Sequence, residues 1–107
     1  MKSTLTVCSL LAAMLLTPAV VLADGNSGDG QKKNSMCIGC HGIEGYRTAY
    51  PAVYSVPKIG GQGAAYIVSA LKAYKAGDRS HPTMRSIAAS LSEQDMQDLA
   101  AYYSTAN

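Results

Sequence analysis

The sequence predicts a small all-α domain, three to four helices closed around a prosthetic group. Two stretches repeat apolar residues at i, i+3, i+4 and i+7, namely Ile67, Ala70, Leu71 and Tyr74, and then Met96, Leu99, Ala100 and Tyr103. The third observation is Cys37-Ile38-Gly39-Cys40-His41, a C-x-x-C-H run that is the attachment signature for c-type haem. Two thiols three residues apart on one helical turn can each add to a haem vinyl group, and the next residue then places an imidazole over the iron. Cys37 and Cys40 are therefore read as the thioether cysteines and His41 as the proximal axial ligand.

The rest of the chain tests that reading. A zinc site would need a second pair of ligands, yet no cysteine follows Cys40 and His81 is the only other histidine. A thioredoxin-like pair would need a βαβ pattern around it, which is absent. A disulfide between near neighbours would leave His41 and a distal methionine as coincidences.

In chain order, Met1 and Lys2 give a short basic start, Leu5 to Val21 is mostly apolar, and Val21-Leu22-Ala23 offers small residues before Asp24. This pattern predicts a secretory signal peptide over residues 1–23, with Cys8 leaving in it, and hence a periplasmic location. No later stretch approaches the roughly 20 apolar residues of a spanning helix. The mature piece, residues 24–107, has eight basic and seven acidic residues, a charge of +1. Two ionised haem propionates bring the holoprotein near neutrality, so long-range steering is weak and nucleic acid is excluded as a partner. A single domain of this size has a thin core, and both mature cysteines are consumed by thioethers. The haem itself is then the staple, and the apoprotein is expected to be largely unfolded.

A frayed start over Asp24 to Asp29 leads into a first helix from about Gly28 or Asp29 to Cys40, with Gly42 as its stop. Its apolar face is poor, with Met36 as the main large member, so attachment and packing must hold it. Lys32 and Lys33 read as a solvated face. Ile43 to Gln62 reads as a loop wrapped on one haem face. Within its PKIGGQ run, Pro57 is the expected carbonyl partner for the second nitrogen of His41, Ile59 packs on the haem, and Gly60-Gly61 lets backbone approach the ring. A helix over Gly63 to Ala76 follows, closed by Gly77; its Tyr66 is a core aromatic or a donor to a haem propionate. Ser86 to Leu91 reads as a short helical turn. The last helix begins at the Ser92 cap with Glu93 and Asp95 in its first turn, and is expected to cross the first helix steeply.

The sixth iron ligand must come from a distant segment. Met36 adjoins the attachment cysteine and cannot reach across the ring, while Met96 sits in the core stripe. Met84, placed in a polar loop over Asp78 to Arg85, is free to present its sulfur and is the expected distal ligand; His81 is the runner-up, or else an exposed loop histidine.

With C-x-x-C-H, PKIGGQ before a helix ending AYKAGDR, Met84, and LSEQDMQDLAAYY, the mature chain resembles class I cytochromes c over essentially its whole length. It is most similar to the single-haem units of bacterial di-haem cytochromes c and to the haem subunit of flavocytochrome c sulfide dehydrogenases. The resemblance implies an all-α fold around one His/Met haem c, with Cys37, Cys40, His41 and Met84 matching the family's functional residues. One departure is that Lys33 and Asn34 stand where the family commonly has aromatic or large aliphatic residues, which leaves the closeness of the first and last helices open.

Two axial ligands leave no open position for substrate. The expected function is therefore electron transfer, not catalysis, through transient docking of redox-partner proteins at a partly exposed haem edge. The alternative is a haem subunit of a larger oxidoreductase, accepting electrons from a flavoprotein subunit, as in flavocytochrome c. A haem sensor would instead require Met84 to leave the iron readily.

Overall fold

The first helix divides at Asn34. In the computed structural model, which describes residues 25–50 and 52–106, α1 spans Ser27–Lys33 and α2 spans Ser35–His41. Then follow α3 over Ala64–Ala76, α4 over Pro82–Ala89 and α5 over Glu93–Thr105. The expected signal peptide, residues 1–23, lies outside the described residues. Among the described residues the only extended pairing is one antiparallel bridge, Arg47 to Ser55, inside the segment read as loop. No described helix is long and apolar enough to cross a membrane.

The stripe on α5 forms the core. Met96, Leu99, Ala100 and Tyr103 are all buried and, except for Met96, cluster with Ile67 of α3. The helix starts where its caps dictate. The Asp95 N–H donates to Ser92 Oγ at 3.0 Å, and the Ser92 N–H donates to Asp95 Oδ2 at 2.8 Å. That closes a reciprocal capping box, with aspartate in the place usually taken by glutamate. The α3 helix packs against both α5 and α4. Lys75 reaches the Leu91 carbonyl, and Lys72 pairs with Glu93, so two side chains from the end of α3 tie it to the start of α5.

At the crossing of α1 and α5, backbone contact replaces interlocking aromatics. A Cβ on Gly30 would lie 2.0 Å from the Asp98 carbonyl oxygen and 2.7 Å from Tyr102 Cβ, so only glycine allows this approach. Beside it, Lys33 leaves the solvated face expected of it. Its Nζ lies 2.6 Å from Asp98 Oδ2 and 2.9 Å from Asp95 Oδ1. Asp98, 2 % exposed, also accepts from the Asn26 N–H at 2.8 Å and from Gln94 Nε2 at 2.9 Å. The lysine that departs from the family pattern thus satisfies a buried carboxylate, and the helices close around an ion pair instead of an aromatic contact.

This network gives the fold an acid limb. Hydrogen bonds from the Lys33 ammonium, and then from backbone N–H groups, hold Asp98 and Asp95 at about 2, and the same pairing raises Lys33 above its ordinary value. Carboxylates depressed in the folded state stabilise it fully above their unfolded value of about 3.9, and that contribution is lost as pH falls towards 2. Urea midpoints of the holoprotein are expected to drop between about pH 5 and pH 2. In Asp98→Asn this limb should flatten, with about 2 kcal/mol lost at pH 7. An unchanged acid limb in the variant would show that other groups set it.

The PKIGGQ segment closes on α5. Gly61, at φ +83°, donates its N–H to the Tyr103 carbonyl at 2.8 Å, and Gly60 faces the Ala106 carbonyl. The two glycines thus bring the loop onto the end of α5, whereas the sequence suggested an approach to the haem ring.

Candidate functional site

A cavity of about 430 Å³ opens between α2, the segment after the Arg47–Ser55 bridge, α3 and α4. From α2 come Met36, Cys37, Cys40 and His41; from the connecting segment come Pro57 and Ile59; from α3, Tyr66, Ile67 and Leu71; from α4, Met84 and Ile87. Every site residue expected from the sequence therefore lines one space. His41 and Met84, 43 positions apart, reach it from different helices.

The α2 helix buries none of its residues fully. Cys37 packs against the core cluster, and burial pushes its thiol up, so without a haem the sulfur stays protonated. No disulfide joins Cys37 and Cys40, so both sulfurs are available for thioether attachment.

Two histidines contribute to the cavity, and their backbone partners fix them in opposite tautomers. His41 Nδ1 lies 2.7 Å from the Pro57 carbonyl oxygen, the contact expected from PKIGGQ. A carbonyl can only accept, so Nδ1 carries the hydrogen and Nε2 presents its lone pair. His81 is the reverse case. Its Nδ1 accepts from the Met84 N–H at 3.2 Å, and a backbone N–H can only donate. The His81 hydrogen then sits on Nε2, which has no lone pair to offer a metal.

The sequence predicts Met84 in a loop, with a helical turn beginning at Ser86. The structure starts α4 four residues earlier, with His81 as N-cap, Pro82 in the first turn and Met84 third in the helix. Proline suits that position because its missing N–H is one that the helix cannot satisfy anyway. No sequence signal marks this cap, because imidazole is not among the usual capping side chains. Its ring is bracketed by Tyr54, with centroids 4.2 Å apart, and by Tyr74, 6.4 Å away and edge-on. Tyr54 also lines the cavity, and no local pattern in the sequence marks it.

The donor set fits haem c. Two thiols at i and i+3 precede an imidazole whose Nε2 is free to bind, and the walls beyond are mainly aliphatic and aromatic. Among the described residues, Lys58 and Arg79 are the Lys and Arg side chains that line the cavity and no Asp or Glu lines it, which suits a plate bearing two propionates. Arg79 is held over the Tyr74 ring at 4.5 Å.

Comparison with known proteins agrees with this chemistry. The family described as cytochrome c matches residues 28–107. Cytochrome c4 of Pseudomonas aeruginosa is 34% identical over 99 residues, covering 90% of this chain and 47% of the relative. Cytochrome c-554(548) of Halomonas halodenitrificans is 38% identical over 84 residues, covering 76% of this chain and 96% of the relative. A protein of Stutzerimonas stutzeri named thiosulfate dehydrogenase electron acceptor is 33% identical over 95 residues, covering 85% of this chain and 43% of the relative. The chain thus spans about half the length of the cytochrome c4 relatives and nearly all of the Halomonas protein. With the attachment run, the aliphatic cavity and the match over 28–107 in agreement, the chain belongs to the cytochrome c family of electron-transfer proteins and carries covalently bound haem c with its iron.

Proposed function

We propose that the protein is a periplasmic electron carrier, exported by a signal peptide over residues 1–23 and functioning as a mono-haem domain over 24–107. In this reading Cys37 and Cys40 hold the haem by thioethers, and His41 Nε2 and the Met84 sulfur are the axial ligands of a low-spin iron. The observation that carries it is the convergence of His41 and Met84 on one cavity, with His41 oriented by Pro57. When bound, the haem supplies a one-electron ferric/ferrous couple, and a thioether ligand with burial favours the ferrous form.

The chain's own residues do the rest. Pro57 holds the proton of His41 on Nδ1 and fixes the plane of its ring. Ile59, Ile67, Leu71 and Ile87 line the cavity and would pack on a bound haem and exclude water from it, while Tyr66, 55 % exposed, lines the same cavity and opens to solvent. With both axial positions filled, the protein passes electrons to a docked partner and binds no substrate at the iron.

A second reading makes the chain the haem subunit of a larger oxidoreductase. The relative named thiosulfate dehydrogenase electron acceptor favours an oxidising enzyme as donor, and the resemblance to flavocytochrome c makes a flavoprotein subunit the alternative donor. One preparation addresses both readings. Expressed with c-type maturation and purified from the periplasm, the protein is expected to begin at Asp24, keep its haem under denaturation, and elute alone with a low-spin spectrum in both oxidation states. Stoichiometric co-purification of a flavoprotein or dehydrogenase would select the subunit reading. A high-spin wild-type spectrum would overturn His/Met ligation.

A further inference from the structure

We propose that His81 is the positioning residue for Met84, acting as a ring-bracketed cap that fixes where the methionine leaves the backbone. The inference rests on reading Met84 as an iron ligand. It goes beyond that reading by saying what keeps the sulfur in place.

The α4 helix has only eight residues, too few to persist through its own propensity. Its first turn must be anchored from outside, and Met84 lies within that turn. Pro82 removes one orphan N–H, and the Met84 N–H is the one that His81 Nδ1 accepts at 3.2 Å. His81 itself is extended, at φ −159° and ψ 109°, and so turns its ring back over the helix start. The ring is then held from two other elements. Tyr54, from the segment that also carries the Thr48 and Ser55 pairings, lies against it at 4.2 Å, and Tyr74 of α3 meets it edge-on.

A methionine side chain has three rotatable bonds and little shape of its own, so the position of its sulfur depends on the position of its backbone. Serine or aspartate would cap the helix as well. Neither would present an aromatic body to the two tyrosines, and aspartate would add a negative charge at the cavity wall. Imidazole combines an acceptor for the Met84 N–H with a plate that Tyr54 and Tyr74 can grip. The cost is that its Nε2 bears the hydrogen, which removes His81 from competition for the iron.

Imidazole added to the ferric holoprotein tests this, because it binds iron only in molecules from which Met84 has dissociated. In His81→Ala the apparent imidazole affinity should rise about tenfold, equivalent to about 1.4 kcal/mol, the size of a lost N-cap. The sulfur-to-iron charge-transfer band should weaken in parallel. His81→Asn keeps a capping acceptor but gives up the ring that Tyr54 and Tyr74 hold, so its affinity should lie between the two, about threefold above wild type. If His81→Ala lowers the urea midpoint yet leaves imidazole affinity and the band at wild-type values, His81 is merely structural and the proposal fails. It fails equally if His81→Asn behaves like His81→Ala, or if both variants become high-spin, which would make His81 itself a ligand. Met84→Ala serves as the reference. Should it bind imidazole no more tightly than wild type, Met84 ligation is wrong, whatever the His81 variants do.

Discussion

In Met84→Ala the ferric protein is expected to lose its sulfur-to-iron charge-transfer band. The ferrous protein should bind carbon monoxide at neutral pH, and the reduction potential should fall by on the order of 0.1–0.3 V, part of the roughly 0.8 V range that axial ligands span. The direction follows from ligand chemistry. An uncharged thioether stabilises ferrous over ferric iron, so its loss removes a preference for the reduced state. The substitution is also local. The hydrogen bond to His81 uses the Met84 backbone N–H, which alanine keeps, and alanine favours the helix. Losses in the variant therefore report on the sulfur and not on α4. Retention of the band in the variant would remove Met84 from the iron. Binding of carbon monoxide by the wild type would instead favour a sensor, because it requires an axial position that opens readily.

The parts of the site that the sequence made legible are those encoded within a few residues. C-x-x-C-H is one helical turn, and its reading needs no tertiary information. The α3 and α5 helices announce themselves by period, and α5 also by Ser92 and Asp95. PKIGGQ led to the His41–Pro57 contact across 16 residues because a metal-binding imidazole needs an acceptor and the following glycines mark a close approach.

What stayed hidden depends on distant partners. Lys33 looks like a solvated charge until Asp98, 65 residues away, is packed beside it. His81 looks like a loop residue until its ring lies on Tyr54 and its Nδ1 meets the Met84 N–H. The break at Asn34 separates two short helices with different duties. The first is fastened to α5 by Gly30 and Lys33, and the second presents Cys37, Cys40 and His41 to the cavity. Periodicity alone could not divide them, because neither segment has an apolar stripe strong enough to show a phase change.

Without haem the domain is expected to lose most of its helix. The fully buried apolar side chains among the described residues are few, drawn mainly from α5 with Ile67 and Ala88. By contrast, Met36, Ile59, Leu71, Met84 and Ile87 are not fully buried and line the cavity. Covering five such side chains at roughly 1.5 kcal/mol each supplies about 7 kcal/mol, which is comparable to the whole stability of a typical domain. The short α1, α2 and α4 helices are too small to persist once that contact is gone, and α5 would survive only as fluctuating helix. Far-UV circular dichroism of a haem-free Cys37→Ser/Cys40→Ser protein, set beside the holoprotein, makes the comparison. The helical signal should fall by more than half, and the cooperative urea transition should disappear. A haem-free protein that kept holoprotein-like helicity and unfolded cooperatively would mean that the α1/α5 crossing, with Gly30 and the Lys33–Asp98 pair, suffices to hold the fold, and that the cavity is preformed for the haem instead of built upon it.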